Sequence, residues 1–279
     1  MITTVLPLLL SLAVPALSLP TPQSSSSPSA ECTREKLEAQ AFKYIAAQAS
    51  GNVTTLSSAG LQLSPTLEYY EDGVLRADIA QTSLATPLRI DHKRTILDTT
   101  QCATYTELIV ADPANPRVIG TQLRFDPTAS VLGHVWSLVT QPGDWAFNAT
   151  QTLYYAARED GLWGPIPEAD RDSRDVIQAA GDAYLDLFND PDVVVPWGLP
   201  CHRLEGGWYT GNGSATDSCD VGVPTGVPIT ERKYVIDEVL GTVDAMVTFG
   251  TRPDSHEFRV EKGKLRFVHT LTVMRNVTA

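Results

Sequence analysis

The sequence predicts an α+β protein in which one helix-plus-curved-antiparallel-sheet unit is written twice. Three observations carry this. Segments recur at a nearly constant spacing, as internal repeats do. Phe42-Lys43-Tyr44-Ile45-Ala46 answers Asp182-Ala183-Tyr184-Leu185-Asp186 at 140 positions, Thr95-Ile96-Leu97-Asp98 answers Tyr234-Val235-Ile236-Asp237 at 139, and Val135-Trp136-Ser137-Leu138 answers Val268-His269-Thr270-Leu271 at 133. Each copy opens on a helical pattern and continues in long alternating strands, an order that excludes βαβ units. Turn residues separate the strands at Asp112-Pro113-Ala114-Asn115-Pro116, Asp126-Pro127 and Lys262-Gly263. Two such sheets can cover one another as a pseudo-dimer and enclose a pocket. The expected organisation is a leader at 1–18, a Ser/Pro-rich linker at 19–30, a first repeat at 31–165 and a second at 166–279.

Taken in order, residues 5–19 are apolar apart from Ser11 and Ser18 and end in the small residues Ala16-Leu17-Ser18, the pattern of a secretion signal. The stretch is short and carries Pro7 and Pro15, so it is a poor membrane span, and no later segment is long and apolar enough to be one. Residues 33–49 read as a helix capped by Thr33, with Leu37, Ala41, Tyr44 and Ile45 on one face. Residues 171–188 repeat it behind Ser173, with Val176, Ile177, Ala180, Tyr184 and Leu187 as the stripe, and Asn189-Asp190-Pro191 stops it. Strands are expected at 88–98, 102–111, 117–125 and 131–140, then at 227–237, 240–249, 255–261 and 264–274.

The leader predicts an exported protein, and two further features agree. Four cysteines suit disulfides in an oxidising compartment, and four Asn-x-Ser/Thr sequons stand at Asn52, Asn148, Asn212 and Asn276. Of the three pairings four cysteines allow, Cys201–Cys219 is the local one; it leaves Cys32–Cys102 to tie the first helix to a strand. No two cysteines have the short spacing of a zinc site, and no metal is expected. The net charge of −12 excludes nucleic acid as a natural partner. No G-x-S-x-G, H-E-x-x-H, phosphate-binding or dinucleotide-binding glycine motif occurs, so hydrolase, protease, kinase and dehydrogenase readings have no support.

The candidate chemistry lies in histidines. If Lys262-Gly263 is a two-residue turn, Val260 faces Leu265, Phe258 faces Phe267, and His256 faces His269, all on one apolar side. In the first repeat Leu132, His134, Trp136 and Leu138 form the matching face. Facing imidazoles in an apolar pocket share at most one proton and can move it to or from a hydroxyl. His256 and His269 are therefore the expected catalytic pair; the alternative is that both are half-buried and satisfied by backbone or Thr hydroxyls. A two-His metal site has no identifiable carboxylate to complete it. Arg203, in an aromatic-rich stretch fixed by Cys201, can hold an anionic or enol-like oxygen, or simply pair with Glu205. Tyr69 occupies the equivalent place in the first repeat. Asp98 and Asp237 are matched carboxylates inside apolar strands, each a general base or a solvent-facing residue.

A helix followed by a curved meander around a pocket resembles the NTF2-like fold of the SnoaL and ketosteroid-isomerase type. The run Pro196-Trp197-Gly198-Leu199-Pro200-Cys201-His202-Arg203-Leu204-Glu205-Gly206-Gly207, with Arg232-Lys233-Tyr234-Val235-Ile236-Asp237-Glu238, is similar to a secreted fungal family, some of whose members resemble the hetero-Diels–Alderases of tropolone-sesquiterpenoid pathways. The resemblance implies loss of water from a hydroxylated tropolone-type ring and cycloaddition to a terpene such as a humulene, with neither metal nor redox cofactor. On that reading His134, Trp136, Phe258, Phe267, Arg203 and Tyr69 bind a small apolar or aromatic substrate. An isomerase or dehydratase of another small molecule, or a non-catalytic secreted binder, fits the same residues. The sequence sets no oligomeric state.

Overall fold

The computed structural model of the chain describes Met1, residues 31–58 and residues 60–277. The expected leader and linker, apart from Met1, lie outside the described residues. In chain order the elements are α1 (Arg34–Ser50), α2 (Thr54–Ser58), β1 (Gln62–Glu71), β2 (Val74–Leu75), β3 (His92–Asp98), β4 (Ala103–Val110), β5 (Arg117–Phe125), β6 (Val131–Thr140), α3 (Ala149–Glu159), α4 (Arg174–Leu187), β7 (Trp197–Glu205), β8 (Trp208–Tyr209), β9 (Ile229–Asp237), β10 (Thr242–Phe249), β11 (Arg252–Glu261) and β12 (Lys264–Thr272), with short 3-10 turns between some of them.

The two helices expected at the head of each repeat form where their caps place them. Thr33 Oγ1 accepts from Lys36 N, and the chain leaves α1 through Gly51 in the left-handed region, whose N–H bonds Ala47 O. Ser173 Oγ likewise accepts from Val176 N at the start of α4. Leu37, Ala41 and Tyr44 face the core from α1; Ile177, Ala180, Gly181, Tyr184 and Leu185 do so from α4. Val176 is exposed, because the buried stripe of α4 starts one residue later.

Each repeat closes into a six-stranded mixed sheet, ordered β2-β1-β6-β5-β4-β3 and β8-β7-β12-β11-β10-β9. The expected meanders are β3–β6 and β9–β12. The additional strands β1 and β7 each run parallel to the last strand of their own meander. Both escape a reading by alternation because each holds a proline beside an interruption in its register, Pro65 between Leu63 and Glu68, and Pro200 opposite the shift between Leu265 and Phe267. Disulfides join Cys32 to Cys102 and Cys201 to Cys219.

The sheets meet about a pseudo-twofold axis, and the contact has reciprocal form. Arg34, the first residue of α1, bonds Asp237 at the end of β9, while Arg174, the first residue of α4, grips Asp98 at the end of β3 with both nitrogens at 2.9 and 2.7 Å. Leu97 N donates to Asp237 and Ile236 N to Asp98. Residue i of one half thus does for j what i′ does for j′, as in an isologous dimer interface. Both aspartates are fully buried, so neither faces solvent, and their oxygens are committed to these bonds.

One core lies between α1 and the inner face of the first sheet, a second between α4 and the inner face of the other. The outer faces pack against each other through Ile96, Ala103, Tyr105, Leu138, Val235 and Met246.

The hairpin at Lys262-Gly263 corrects the histidine expectation. The turn is as predicted, with φ of 54° and 68°, and Glu261 faces Lys264 and Val260 faces Leu265. The register then shifts, leaving Arg266 as an extra residue, so that Glu257, not His256, faces His269, and His256 faces Thr270. A one-residue bulge sends every later side chain to the other face. His256 and Phe258 point inward; His269 and Phe267 point outward. The same shift stands in the first repeat, where Phe125 faces Leu132 but Arg124 faces His134. Leu132 is thereby inside, and His134, Trp136 and Leu138 are outside.

Candidate active site

The inner face of the second sheet carries a cavity of about 190 Å³ between β7, β11, β12 and α4. His256 and Asp254 enter it from β11, two residues apart and so on one face. Arg203 and Glu205 enter from β7, Thr270 and Thr272 from β12, and Tyr184 from α4. Phe188, Phe249, Pro224, Met274 and Trp145 supply the apolar walls and the mouth.

His256 Nδ1 lies 2.6 Å from Asp254 Oδ1, although the two are not aligned as a hydrogen bond. The other Asp254 oxygen accepts from Thr272 Oγ1 at 2.6 Å. The His256 ring is held by Tyr184 and Phe188 at centroid distances of 5.5 and 6.1 Å and stacks on Phe258 at 5.9 Å. Arg203 pairs with Glu205, donates to Gly222 O at 3.2 Å, and stands over the Tyr184 ring. Glu205 also receives the Trp145 indole N–H at 3.4 Å. Burial raises the Tyr184 hydroxyl above its ordinary range, so it is a neutral donor.

Five buried polar atoms on this cavity make no well-aligned hydrogen bond: Asp254 Oδ1 and His256 Nδ1, which meet each other at 2.6 Å, and Tyr184 Oη, Arg203 Nε and Thr270 Oγ1. Buried polar atoms are nearly always paired, each orphan costing about 1–3 kcal/mol. Their convergence on one hollow makes it the candidate site for a polar ligand. The first repeat makes the comparison within one molecule. Strand pairing sets Thr121 in the place of His256, Ile119 in that of Asp254 and Tyr69 in that of Arg203. There Tyr44 Oη bonds Thr121 Oγ1 at 2.7 Å and Thr121 bonds Ser137 at 2.9 Å, and the chain is buried in a filled core.

The sequence-predicted residues are therefore dispersed. His256 and Arg203 share the cavity. Phe258 is fully buried beneath it. Tyr69 lies in the first repeat's core. His134 is on the outer surface against Glu68 at 3.2 Å, stacked on Trp136, which lines a separate cleft. Phe267 packs on Trp163 and His202. Tyr184, Asp254 and Thr270 were not singled out as site residues; the Asp254-Ser255-His256 alternation was the available signal.

His269 belongs to a buried ionic knot between the repeats. Its Nε2 meets Glu159 at 2.7 Å and its Nδ1 faces Glu107 at 3.5 Å, with Arg94 Nη2 2.9 Å from Nδ1. Burial and Arg94 act to lower its pKa, but Glu159 and Glu107 outweigh them and hold it at about 9. Burial alone would raise Glu107; Arg94 and His269 bring it down to about 2. Ligand atoms of Glu107, Glu257 and His269 lie within 4.8 Å of one another, a spacing a metal ion could use, but Arg94 Nη2 already sits 3.3, 2.6 and 2.9 Å from them. A cation there would have to expel a guanidinium that also stacks 3.8 Å over Trp163.

Of the four sequon residues, Asn52, Asn148, Asn212 and Asn276 are all exposed, and Asn148 also caps α3 by accepting from Gln151 N. Among the described residues no helix is long and apolar enough to cross a membrane.

A family model described as a domain of unknown function, DUF8021, matches residues 170–272, which include the whole cavity-bearing sheet. No curated protein matches the chain. Among solved structures, AusH from Aspergillus nidulans is 12% identical with a TM-score of 0.29, covering 42% of this chain and 90% of its own. PrhC from Penicillium brasilianum NBRC 6234 is 15% identical with a TM-score of 0.24, covering 46% and 95%. AclR from Streptomyces galilaeus is 11% identical with a TM-score of 0.28, covering 56% and 96%.

Proposed function

We propose that the chain is a secreted-pathway enzyme of natural-product biosynthesis that removes water from, or isomerises, a small ring compound by acid–base catalysis in the second repeat's cavity. The observation that carries this is the convergence of three further buried polar atoms, Tyr184 Oη, Arg203 Nε and Thr270 Oγ1, around the Asp254–His256 pair. Asp254 beside Nδ1 favours an imidazole whose Nε2 is the working atom, and among the described residues Nε2 makes no hydrogen bond. Arg203 and the Tyr184 hydroxyl are donors for an oxygen on which negative charge develops. In a dehydration, Nε2 would take a proton from the carbon beside a carbonyl. The electron pair would move onto that oxygen and then expel the hydroxyl one carbon further on. The same proton would leave with it as water.

The cavity volume, about 190 Å³, suits a single substituted ring, since drug-sized ligands occupy roughly 300–1,000 Å³. Of the two steps implied by the family resemblance, loss of water therefore fits the cavity as it stands. Cycloaddition to a terpene would require the mouth at Trp145, Pro224 and Met274 to open.

The test is to incubate the protein with an extract of its producing organism and follow the one metabolite whose amount changes. His256→Gln should abolish the change, and Asp254→Asn should slow it by about 10²-fold or more, the scale of general acid–base assistance. Unchanged turnover in a folded His256→Gln protein would refute the assignment. Saturable binding of the metabolite without turnover would make the protein a binder.

A further inference from the structure

The pseudo-twofold axis makes two wedges where the sheets splay apart, and α3 fills one of them. It lies against β3, β4 and β8, with Ala149 and Ala156 packed on Ile109, Val118, Leu204 and Leu271. At its end, Glu159 reaches His269, and Trp163, four residues on, covers the Arg94 guanidinium. The repeat carries these contacts to the opposite wedge: Trp136 stands in the place of His269, Leu138 in that of Leu271, Lys233 in that of Arg94, and Met246 in that of Glu107. All four replacements line one open cleft of about 930 Å³, rimmed by the C-terminal Arg275, Asn276 and Val277. Among the described residues no helix lies over it.

We infer that this cleft docks an amphipathic helix of a partner protein, one bearing a carboxylate and an aromatic ring four residues apart, as α3 bears Glu159 and Trp163. The charges agree. Lys233 and Arg252 at the cleft have no carboxylate partner among the described residues; they donate only to the carbonyl oxygens of Glu231 and Met274. The carboxylates that also line the cleft are engaged elsewhere, Asp72 with Arg275, Glu231 with Thr248 and Asp254 with His256 and Thr272, so these two cations favour a ligand that brings its own carboxylate. The apolar floor, Leu138 and Met246 beside the half-buried Trp136, supplies what a helix face needs. The mate wedge shows that this geometry accepts a helix without altering either sheet. The inference does not use the catalytic reading: of the cavity's residues only Asp254 also borders the cleft, and no variant below alters it.

The experiment uses the intact protein and a fluorescein-labelled peptide of residues 147–165. The peptide carries the α3 sequence, and the protein's own α3 blocks the filled wedge. Fluorescence polarisation should show saturable binding at one site. Lys233→Glu, Trp136→Ala, or Glu159→Gln in the peptide should each weaken it by about tenfold or more. Circular dichroism checks that each variant is folded, and Lys233→Glu suffices if Trp136→Ala is not. Absence of binding would overturn the proposal. So would binding that neither protein variant changes, which would mean exchange with the resident α3. Equal competition by indole-3-acetate, with the same dependence on Lys233, would make the cleft a small-molecule site and refute the helix.

Discussion

Replacing Arg174 by Met tests the reciprocal latch that joins the halves. A cation at the first position of a helix opposes the macrodipole, yet both α1 and α4 begin with arginine. The tertiary partner explains this. Asp98 is fully buried, and Arg174 supplies two of its bonds, the others coming from Gln101 N and Ile236 N. Removing one partner of a buried ion pair costs about 3–5 kcal/mol. The two remaining backbone donors, and the 19% exposure of the Arg174 side chain, place this case at the lower end, about 3 kcal/mol. The pseudo-symmetric Arg34→Met removes one bond to Asp237 and a long one of 3.5 Å to Leu97 O, from a side chain 33% exposed, and leaves Asp237 three backbone donors at Leu97, Val239 and Leu240. About 1–2 kcal/mol is expected there. For a chain of this length, 1 kcal/mol lowers Tm by about 2–4 °C, so Arg174→Met should melt about 6–12 °C lower. Urea titration of the two variants measures both values. A loss below about 1 kcal/mol for Arg174→Met, or a larger loss for Arg34→Met, would refute the argument that partner number and burial set the cost.

Two further outcomes are expected. Gly120→Ala should destabilise by about 1–3 kcal/mol in denaturant titration, because its Cβ would stand 2.8 Å from Tyr105 Oη and 3.0 Å from a Leu271 methyl across the repeat interface. His269 has its pKa raised from 6.5 to about 9, so folding favours its charged form; that contribution is complete below pH 6.5 and lost as pH rises through about 9. Tm measured from pH 6 to 10 should fall more steeply for the parent protein than for His269→Gln, and parallel curves would show that the proton is not held as described.

The duplication, the caps at Thr33 and Ser173, the meander strands and the turn at Lys262-Gly263 were legible because each rests on local chemistry or simple periodicity. The parallel strands β1 and β7 were not, since their partners are distant in sequence and a proline interrupts each. Nor was α3: Thr152, Ala156 and Glu159 are buried against residues from both repeats, so its inner face is not a simple apolar stripe. The site was half legible. Arg203 and His256 are legible from their chemistry and lie together on the cavity. His269 was assigned to the same face only because the bulge at Arg266 leaves no mark in the alternation until the pairing is known. That one residue moved a supposed catalytic partner through the sheet into the ionic knot behind it.

The two halves also set up a test between a structural and a functional account of the cavity. The first repeat builds the same helix-on-sheet unit with Ile119, Thr121 and Tyr69, and it fills its interior with a hydrogen-bonded Tyr44–Thr121–Ser137 chain. The architecture therefore does not require Asp254, His256 and Arg203. In the second repeat these residues set charged groups around a hollow, where the first repeat has the apolar Ile119 and the hydrogen-bonded Thr121. That charged groups surround a hollow in one copy only is the contrast on which the proposed acid–base role rests. Conversion of the second repeat toward the first, by Asp254→Ile with His256→Thr, should then preserve or raise stability in denaturant titration while removing the activity. A large loss of stability in that double variant would show instead that the two side chains serve the fold, and the catalytic reading would lose its physical basis.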